Sequence, residues 1–430
     1  DSLTWLRLMA MQLSGNYREE LTRAALSQRL DAAQMRFLYP DSGADQATTL
    51  ADAATGRALG QMERQLADLL PEHLEPRDAS NAWALQRQGG QGALLANDPH
   101  LGLRAPGHWY LARIETPERT LVGATAPGVP FTILGRNRDL AWGLTTTHSD
   151  TQDLFIERVD PQDPGRYRTP DGWARFESST ETIQVAEGEP VELTVRRTRH
   201  GPVISDSVQA AETLAGENQV VALAWPALRA DDTTPDALYR VNAARSVDAA
   251  LTAMARADAP QQNLFLADSA GNVGLIAAAR VPIRKAGDGT LPRPGWTGNY
   301  DWTGTIPRDA LPRARNPEGG RLVNANNRLV GDDYPYLIAA HWPPPWRAER
   351  INQLLDQAEG SADIAAMERI LLDTRSPKAE LLLDELLSYS PENTRQEAAH
   401  QLLRGWDRHM NVDEAAPLVF TAWIDNLNRA

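Results

Sequence analysis

Ser80-Asn81-Ala82-Trp83, with Asn97-Asp98-Pro99-His100 seventeen residues further on, is the stretch of this 430-residue chain on which the reading turns. A small-residue turn and an apolar strand lie between the two. A serine hydroxyl holds its proton far above neutral pH, so chemistry at Ser80 needs a base. No serine sits in Gly-x-Ser-x-Gly, and none has a lysine three residues on. Neither His-Glu-x-x-His nor a P-loop occurs. An N-terminal nucleophile is the economical option left. An α-amine has a pKa of about 7.7–8.0, which suits a general base near neutral pH. It would exist only after cleavage between Ala79 and Ser80. The preceding stretch 71–79 is mostly polar, contains Pro76, and lies between a helical and a strand-like pattern. Ser80 could attack the Ala79 carbonyl there, forming an ester that water resolves. Ser-Asn after Asp-Ala equally suits a plain turn, and Trp83 an ordinary core position.

Composition bounds the function. The length fits two or three domains or one large one. The net charge of −14 argues against nucleic acid, whose phosphates need Lys and Arg. The absence of cysteine rules out disulfides and thiolate metal sites. The longest apolar runs, such as 274–279, are far too short to span a membrane. Leu3, Leu6, Met9 and Leu13 open the chain at helical spacing with no signal peptide before them, and an amphipathic run at 418–427 leads to its end. The chain therefore reads as a mature or partial one.

Residues 1–79 read as helical, with periodic stretches at 19–30 and 48–70. From Ala82 the pattern becomes short strand-like runs at 82–86, 93–96, 109–114, 121–124, 131–134 and 154–159, separated by Gly, Pro and Asp. Residues 160–220 read as a β-rich insertion, opened by a turn cluster at 161–165. Helical spacing returns at 237–257 and strands at 262–284. A Gly/Pro-rich loop covers 285–320, and the chain is mostly helical after Trp346.

Further segments follow in order: Pro106-Gly107-His108-Trp109-Tyr110, Gly123-Ala124-Thr125-Ala126-Pro127-Gly128-Val129-Pro130, Gly135-Arg136-Asn137, Ala141-Trp142-Gly143, Asp150-Thr151-Gln152-Asp153, His200-Gly201-Pro202, Gly295-Trp296, Asp301-Trp302 and Asn324-Ala325-Asn326-Asn327-Arg328. With the two opening motifs, this series resembles the penicillin acylase family of N-terminal-nucleophile hydrolases over nearly the whole chain. The resemblance implies an α+β fold, a four-layer αββα sandwich with two stacked antiparallel sheets. It also implies division into a helical α part, 1–79, and a β part, 80–430, as a heterodimer from one precursor in the periplasm or secreted. Two departures stand out. Ala79 replaces the family's frequent Gly, and no linker separates Ala79 from Ser80.

The resemblance further implies roles. Ser80 matches the nucleophile whose α-amine is the base, and His100 a residue supporting it, in some members through its backbone. Thr146 matches a backbone N–H donor of the oxyanion hole and Asn326 its side-chain donor. Arg347 matches an arginine kept close to the site. Taken alone, His100 suits a structural role, the Asn pair turn chemistry, and Arg347 a surface salt bridge. Asp150, Asp153 and the Gln152 carbonyl, with Glu20, match ligands of a structural calcium, which takes roughly six to eight oxygens. No organic cofactor is implied.

The implied substrate is a small acyl amide, either an N-acyl homoserine lactone or a β-lactam. Trp83, Trp109 and Tyr110 suggest an apolar acyl pocket, or else core packing. Two other readings remain open at this point: a non-catalytic relative, and a carbohydrate- or ligand-binding sandwich suggested by the twelve Trp and the loop 294–304.

Overall fold

A computed structural model describes residues 2–13, 15–39, 49, 79–87, 91–101, 107–358 and 362–429. The helical stretch expected at 48–70 and the polar stretch before Ser80 lie outside these residues, apart from Thr49 and Ala79. The chain opens with helices Ser2–Leu13, Tyr17–Ser27 and Ala32–Leu38. Asp31 starts the third by capping: its carboxylate accepts the Ala33 and Gln34 N–H groups, while Gln34 reaches back to the Asp31 N–H.

Two antiparallel sheets stack at the centre. The smaller places Ala79–Leu85 between Leu94–His100 and Arg321–Asn324. The larger has seven strands, with Leu140–Thr146 beside Gln262–Asp268, which pairs with Val273–Ala278. Strand alternation sends Ala82 and Ala84 into the layer between the sheets, against Phe265 and Leu275. Trp83 and Leu85, of opposite parity, pack against helices Trp346–Gln357 and Ile364–Leu371. On the far side of the larger sheet, helices Thr234–Ala243 and Val247–Met254 bury Leu238, Val241 and Leu251 against Leu264 and Ile276. The order helix, sheet, sheet, helix makes four layers. Helices between Pro377 and Arg429 add a satellite core around Leu383, Trp406 and Phe420.

Two local patterns differ from the sequence reading. The apolar run 131–134 is not a strand; the strand there is Leu134–Arg136. Pro127 and Pro130 break the ladder, and the Thr125 hydroxyl lies 3.0 Å from the Val129 carbonyl and 2.7 Å from that of Phe131, closing the loop instead. The Gly/Pro-rich stretch 285–320 is no plain loop, since Trp302–Thr305 and Arg313–Arg315 are short strands within it.

Candidate active site

Ser80 is the second residue of the central strand of the smaller sheet and is buried. Its cross-strand partner is Pro99, which has no N–H to give. The Ser80 backbone groups turn to the other side. The register Ala82↔Asn324, extended by two residues, brings position 326 opposite Ser80. The neighbouring strand ends at Asn324, however, and Asn326 adopts a left-handed φ of 68°. Its carboxamide takes over the ladder: the Ser80 N–H donates to Asn326 Oδ1 at 2.7 Å. Asn is among the few non-glycine residues that tolerate this conformation. Asn324 Oδ1 pins the bend by accepting the Asn326 N–H at 3.0 Å and the Thr145 hydroxyl at 2.8 Å.

Asn326 Nδ2 donates to the Thr146 carbonyl at 2.8 Å. The Thr147 N–H donates to the Gln261 carbonyl, so Thr147 and Gln261 form a bonded antiparallel pair. Thr146 and Gln262 are then a non-bonded pair. Both backbone groups of Thr146 therefore face away from the Gln262–Asp268 strand, toward Asn326. The Thr146 N–H and the second Nδ2 hydrogen of Asn326 thus lie on one side of the strand, near Ser80.

Arg347, in the first turn of helix Trp346–Gln357, fastens this corner. Nη1 donates to the Ser80 carbonyl at 2.9 Å and to Asn81 Oδ1 at 2.7 Å. Nη2 donates to the Ala325 carbonyl at 2.8 Å and to Asn326 Oδ1 at 3.0 Å. All four acceptors are neutral oxygens. Burial accordingly pulls the guanidinium down to about 10, with Asp98 opposing.

A narrow pocket of about 50 Å³ opens beside Ser80, with Thr146 and Gln262 also in its wall. The rest of its lining is mostly apolar and includes Leu6, Met9, Trp109, Leu144 and Met254. The N-terminal helix and the larger sheet thus build the pocket together. Trp109 lies in it. Trp83 and Tyr110 do not: Trp83 faces the opposite side of its strand, its indole N–H on Met367 Sδ at 3.1 Å, and Tyr110 is 67% exposed. The backbone of His100 pairs with Ala79, beside Ser80, while its side chain lies 2.6 Å from Asp98 and not on the serine. That imidazole holds the Asp98 carboxyl below the usual range.

Glu20, Asp150, Gln152 and Asp153 come together away from Ser80, where helix Tyr17–Ser27 meets the strand Asp153–Asp160. Glu20 Oε2 accepts the Leu154 N–H at 3.1 Å, and Oε1 is buried without a donor. Arg284 bridges Asp150 at 2.6 Å and Asp153 at 2.9 Å. Asn16 Nδ2 sits 2.9 Å from both Asp150 Oδ1 and the Gln152 carbonyl. Among the described residues no three acidic, His or Cys side chains form a ready metal cluster. Even so, three buried carboxylates share the Arg284 guanidinium, with Arg23 a further attraction at Asp150, and one carboxylate oxygen is orphaned. Desolvation first, then Asp153 and Asp150, raises Glu20 well above its ordinary value; desolvation also raises Asp150. In charge and donor type the group fits a hard divalent cation.

Several participants escaped the sequence reading. Asn97 sits in the Asn-Asp-Pro-His motif with no role legible from it, and Asn16 and Arg284 carry no local signal. His148, two residues past Thr146, has a left-handed φ of 54° and a buried Nε2 without a partner.

Two stacked antiparallel sheets between helical layers, with a serine at the start of the central strand, define the N-terminal-nucleophile hydrolase fold. A solved structure of a thermostable penicillin G acylase from Alcaligenes faecalis superimposes with a TM-score of 0.66, covering 80% of this chain and 63% of that one at 24% identity. The penicillin amidase family profile matches residues 1–430, and the chain belongs to that family. Among its relatives, the acyl-homoserine lactone acylase QuiP of Pseudomonas syringae pv. tomato is 32% identical over 84% of this chain and 44% of its own length. The penicillin acylase 2 proenzyme of Pseudomonas sp. strain SE83 is 33% identical over 81% of this chain and 45% of its own. The chain spans about half the length of the curated relatives it matches.

Proposed function

We propose that this chain is the catalytic part of an amide hydrolase that removes an acyl group from a small amide, an N-acyl homoserine lactone or a β-lactam, through an acyl-enzyme on Ser80. The observation that carries the reading is the Asn326 carboxamide, which joins the Ser80 nitrogen to the Thr146 carbonyl at the wall of an apolar pocket. Maturation begins when Ser80 Oγ attacks the Ala79 carbonyl. The peptide becomes an ester, and water releases the Ala79 carboxylate and a free Ser80 amine, leaving α and β parts from one precursor. The name of the SE83 relative, a proenzyme, supports this order.

In turnover, Ser80 Oγ attacks the substrate carbonyl while the α-amine takes the hydroxyl proton. Asn326 Oδ1 keeps one amine hydrogen, which aims the lone pair. The oxyanion receives the Thr146 N–H and the free Asn326 Nδ2 hydrogen, donors held before charge develops. The amine then protonates the leaving nitrogen, the C–N bond breaks, and water frees the acid. Arg347 places a positive charge beside the amine, which disfavours the ammonium and keeps the base neutral. The His100 backbone supports the serine from the neighbouring strand. The apolar lining, Trp109 included, favours an uncharged acyl group. A structural calcium on Glu20, Asp150, the Gln152 carbonyl and Asp153 would neutralise the buried carboxylates and tie the N-terminal helices to the sheet. A periplasmic or secreted location belongs to the same reading; no helix among the described residues is long and apolar enough to cross a membrane.

Intact mass under denaturing conditions tests the proposal. A fragment beginning at Ser80, with acyl transfer onto it from an activated acyl ester, is the expected result. One unbroken chain with ligand binding and no turnover would replace the hydrolase with a binding protein.

A further inference from the structure

Past Trp142, where pairing with the strand Leu134–Arg136 ends, the free side of the strand Leu140–Thr146 is served by side chains where a neighbouring strand would otherwise run. Leu144 and Thr146 both turn their backbone groups to that side. Thr146 meets Asn326. Leu144 meets Asn97, whose Oδ1 accepts the Leu144 N–H at 3.0 Å while Nδ2 donates to the Leu144 carbonyl at 2.9 Å. A carboxamide has the donor and acceptor of a peptide group, so Asn97 pairs with Leu144 as a one-residue strand. Its second Nδ2 hydrogen goes to the Asn81 carbonyl, also at 2.9 Å. Asn81 follows the serine, and Leu144 lies two residues before Thr146.

Gly143 is shaped to this contact. A Cβ at that position would stand 2.7–2.8 Å from Cβ, Cγ and Oδ1 of Asn97. The glycine lets the carboxamide lie flat on the strand. Asn97 is itself paired with Ala82 on the nucleophile strand, so its backbone fixes it to that strand while its side chain reaches across to Leu144.

We infer that Asn97 is a positioning residue for the reaction: its carboxamide, seated on Gly143, sets the spacing between Ser80-Asn81 in one sheet and Leu144–Thr146 in the other, and so places the Thr146 N–H over the attacked carbonyl. This rests on the reading of Ser80 as nucleophile. Asn97→Asp keeps the shape and turns the doubly donating nitrogen into a third acceptor facing two carbonyls. The strands separate locally and the oxyanion donor recedes from the serine.

The test uses the full chain, octanoyl p-nitroanilide as substrate and octylboronic acid as a probe that adds to the serine and places a boronate oxygen in the oxyanion hole. In Asn97→Asp, kcat is expected to fall at least tenfold, with KM within about threefold and boronate affinity falling in step with kcat, because only the transition state uses the displaced donor. Affinity for octanoic acid, which fills the pocket without forming the adduct, is expected to hold. Wild-type kcat, or a loss confined to KM with boronate affinity unchanged, would overturn the inference. If Asn97→Asp does not fold, Asn97→Ser, which leaves space in place of repulsion, is read by the same criteria. Failure of both to fold would make Asn97 a purely structural tie and equally overturn it. Ser80→Ala separates the two levels: turnover retained there sinks the parent reading, whereas turnover lost there and kept in Asn97→Asp sinks only this one.

Discussion

Asn326 and Ser80, 246 residues apart in the chain, are joined by a 2.7 Å hydrogen bond from the serine nitrogen to the asparagine carbonyl oxygen. The bond exists because the strand that should pair with Ser80 stops two residues short and a left-handed asparagine fills the place. One carboxamide thereby faces the base through its oxygen and the oxyanion through its nitrogen. Each proposed role can be separated by substitution.

Removing the hydroxyl removes both proposed reactions of Ser80. Ser80→Ala is expected to remain a single chain on denaturing mass analysis and to lack turnover. A cleaved and active Ser80→Ala would assign the nucleophile elsewhere.

Asn326→Ala deletes a proposed transition-state donor. The expected result is a folded protein with kcat lower by about 10²–10³, equivalent to about 2.7–4 kcal/mol, and a smaller change in KM. Steady-state kinetics on an acyl p-nitroanilide decides it, and unchanged turnover would take Asn326 out of the oxyanion hole.

Arg347 acts on the base through its charge. In Arg347→Gln the α-ammonium loses a like charge, so its pKa rises and the acid limb of kcat/KM moves to higher pH, by on the order of one unit. Overall activity falls as well, because the clamp on the Ser80 carbonyl is lost. An acid limb that stays in place would leave Arg347 with a purely structural part.

Burial, with Arg347 second, pulls the His148 imidazole from 6.5 to about 4. Between those values the unfolded chain binds the proton and the folded chain does not. Stability therefore declines as pH drops from 6.5 toward 4, and this contribution levels off below. His148→Gln, which has no charge to gain, is expected to flatten the acid-side fall of Tm. The same slope in both proteins would place the acid sensitivity in other groups.

Glu20 and Asp150 have raised folded values, so without a cation the folded state holds their protons longer than the unfolded chain does. Stability from this group declines as pH rises above about 4, the ordinary carboxylate range, toward those raised values. Calcium should displace the protons and raise Tm at neutral pH, and Glu20→Gln should weaken that response. Differential scanning calorimetry with and without chelator reads it; a Tm indifferent to calcium would leave Arg284, with Arg23 behind it, as the counter-charge.

Residue order alone carried much of this protein. The serine without any conventional base, the apolar alternation behind it and the ordered motifs up to Asn326 depend on local chemistry and on spacing along the chain, and both are legible in one dimension. Which face a side chain presents is not. Trp83 and Ser80 sit three residues apart on one strand, yet the pleat sends one to the helices and the other between the sheets. Tyr110 follows Trp109 directly and points to solvent while Trp109 enters the pocket. Arg284 between Asp150 and Asp153, Asn97 on Gly143, and Asn326 opposite Ser80 all join segments that meet only once the sheets have stacked. A hydrogen bond or ion pair acts over a few ångströms in space, and sequence distance sets no limit on which residues come that near. The tertiary structure therefore decided the partners, and through them the geometry of the site.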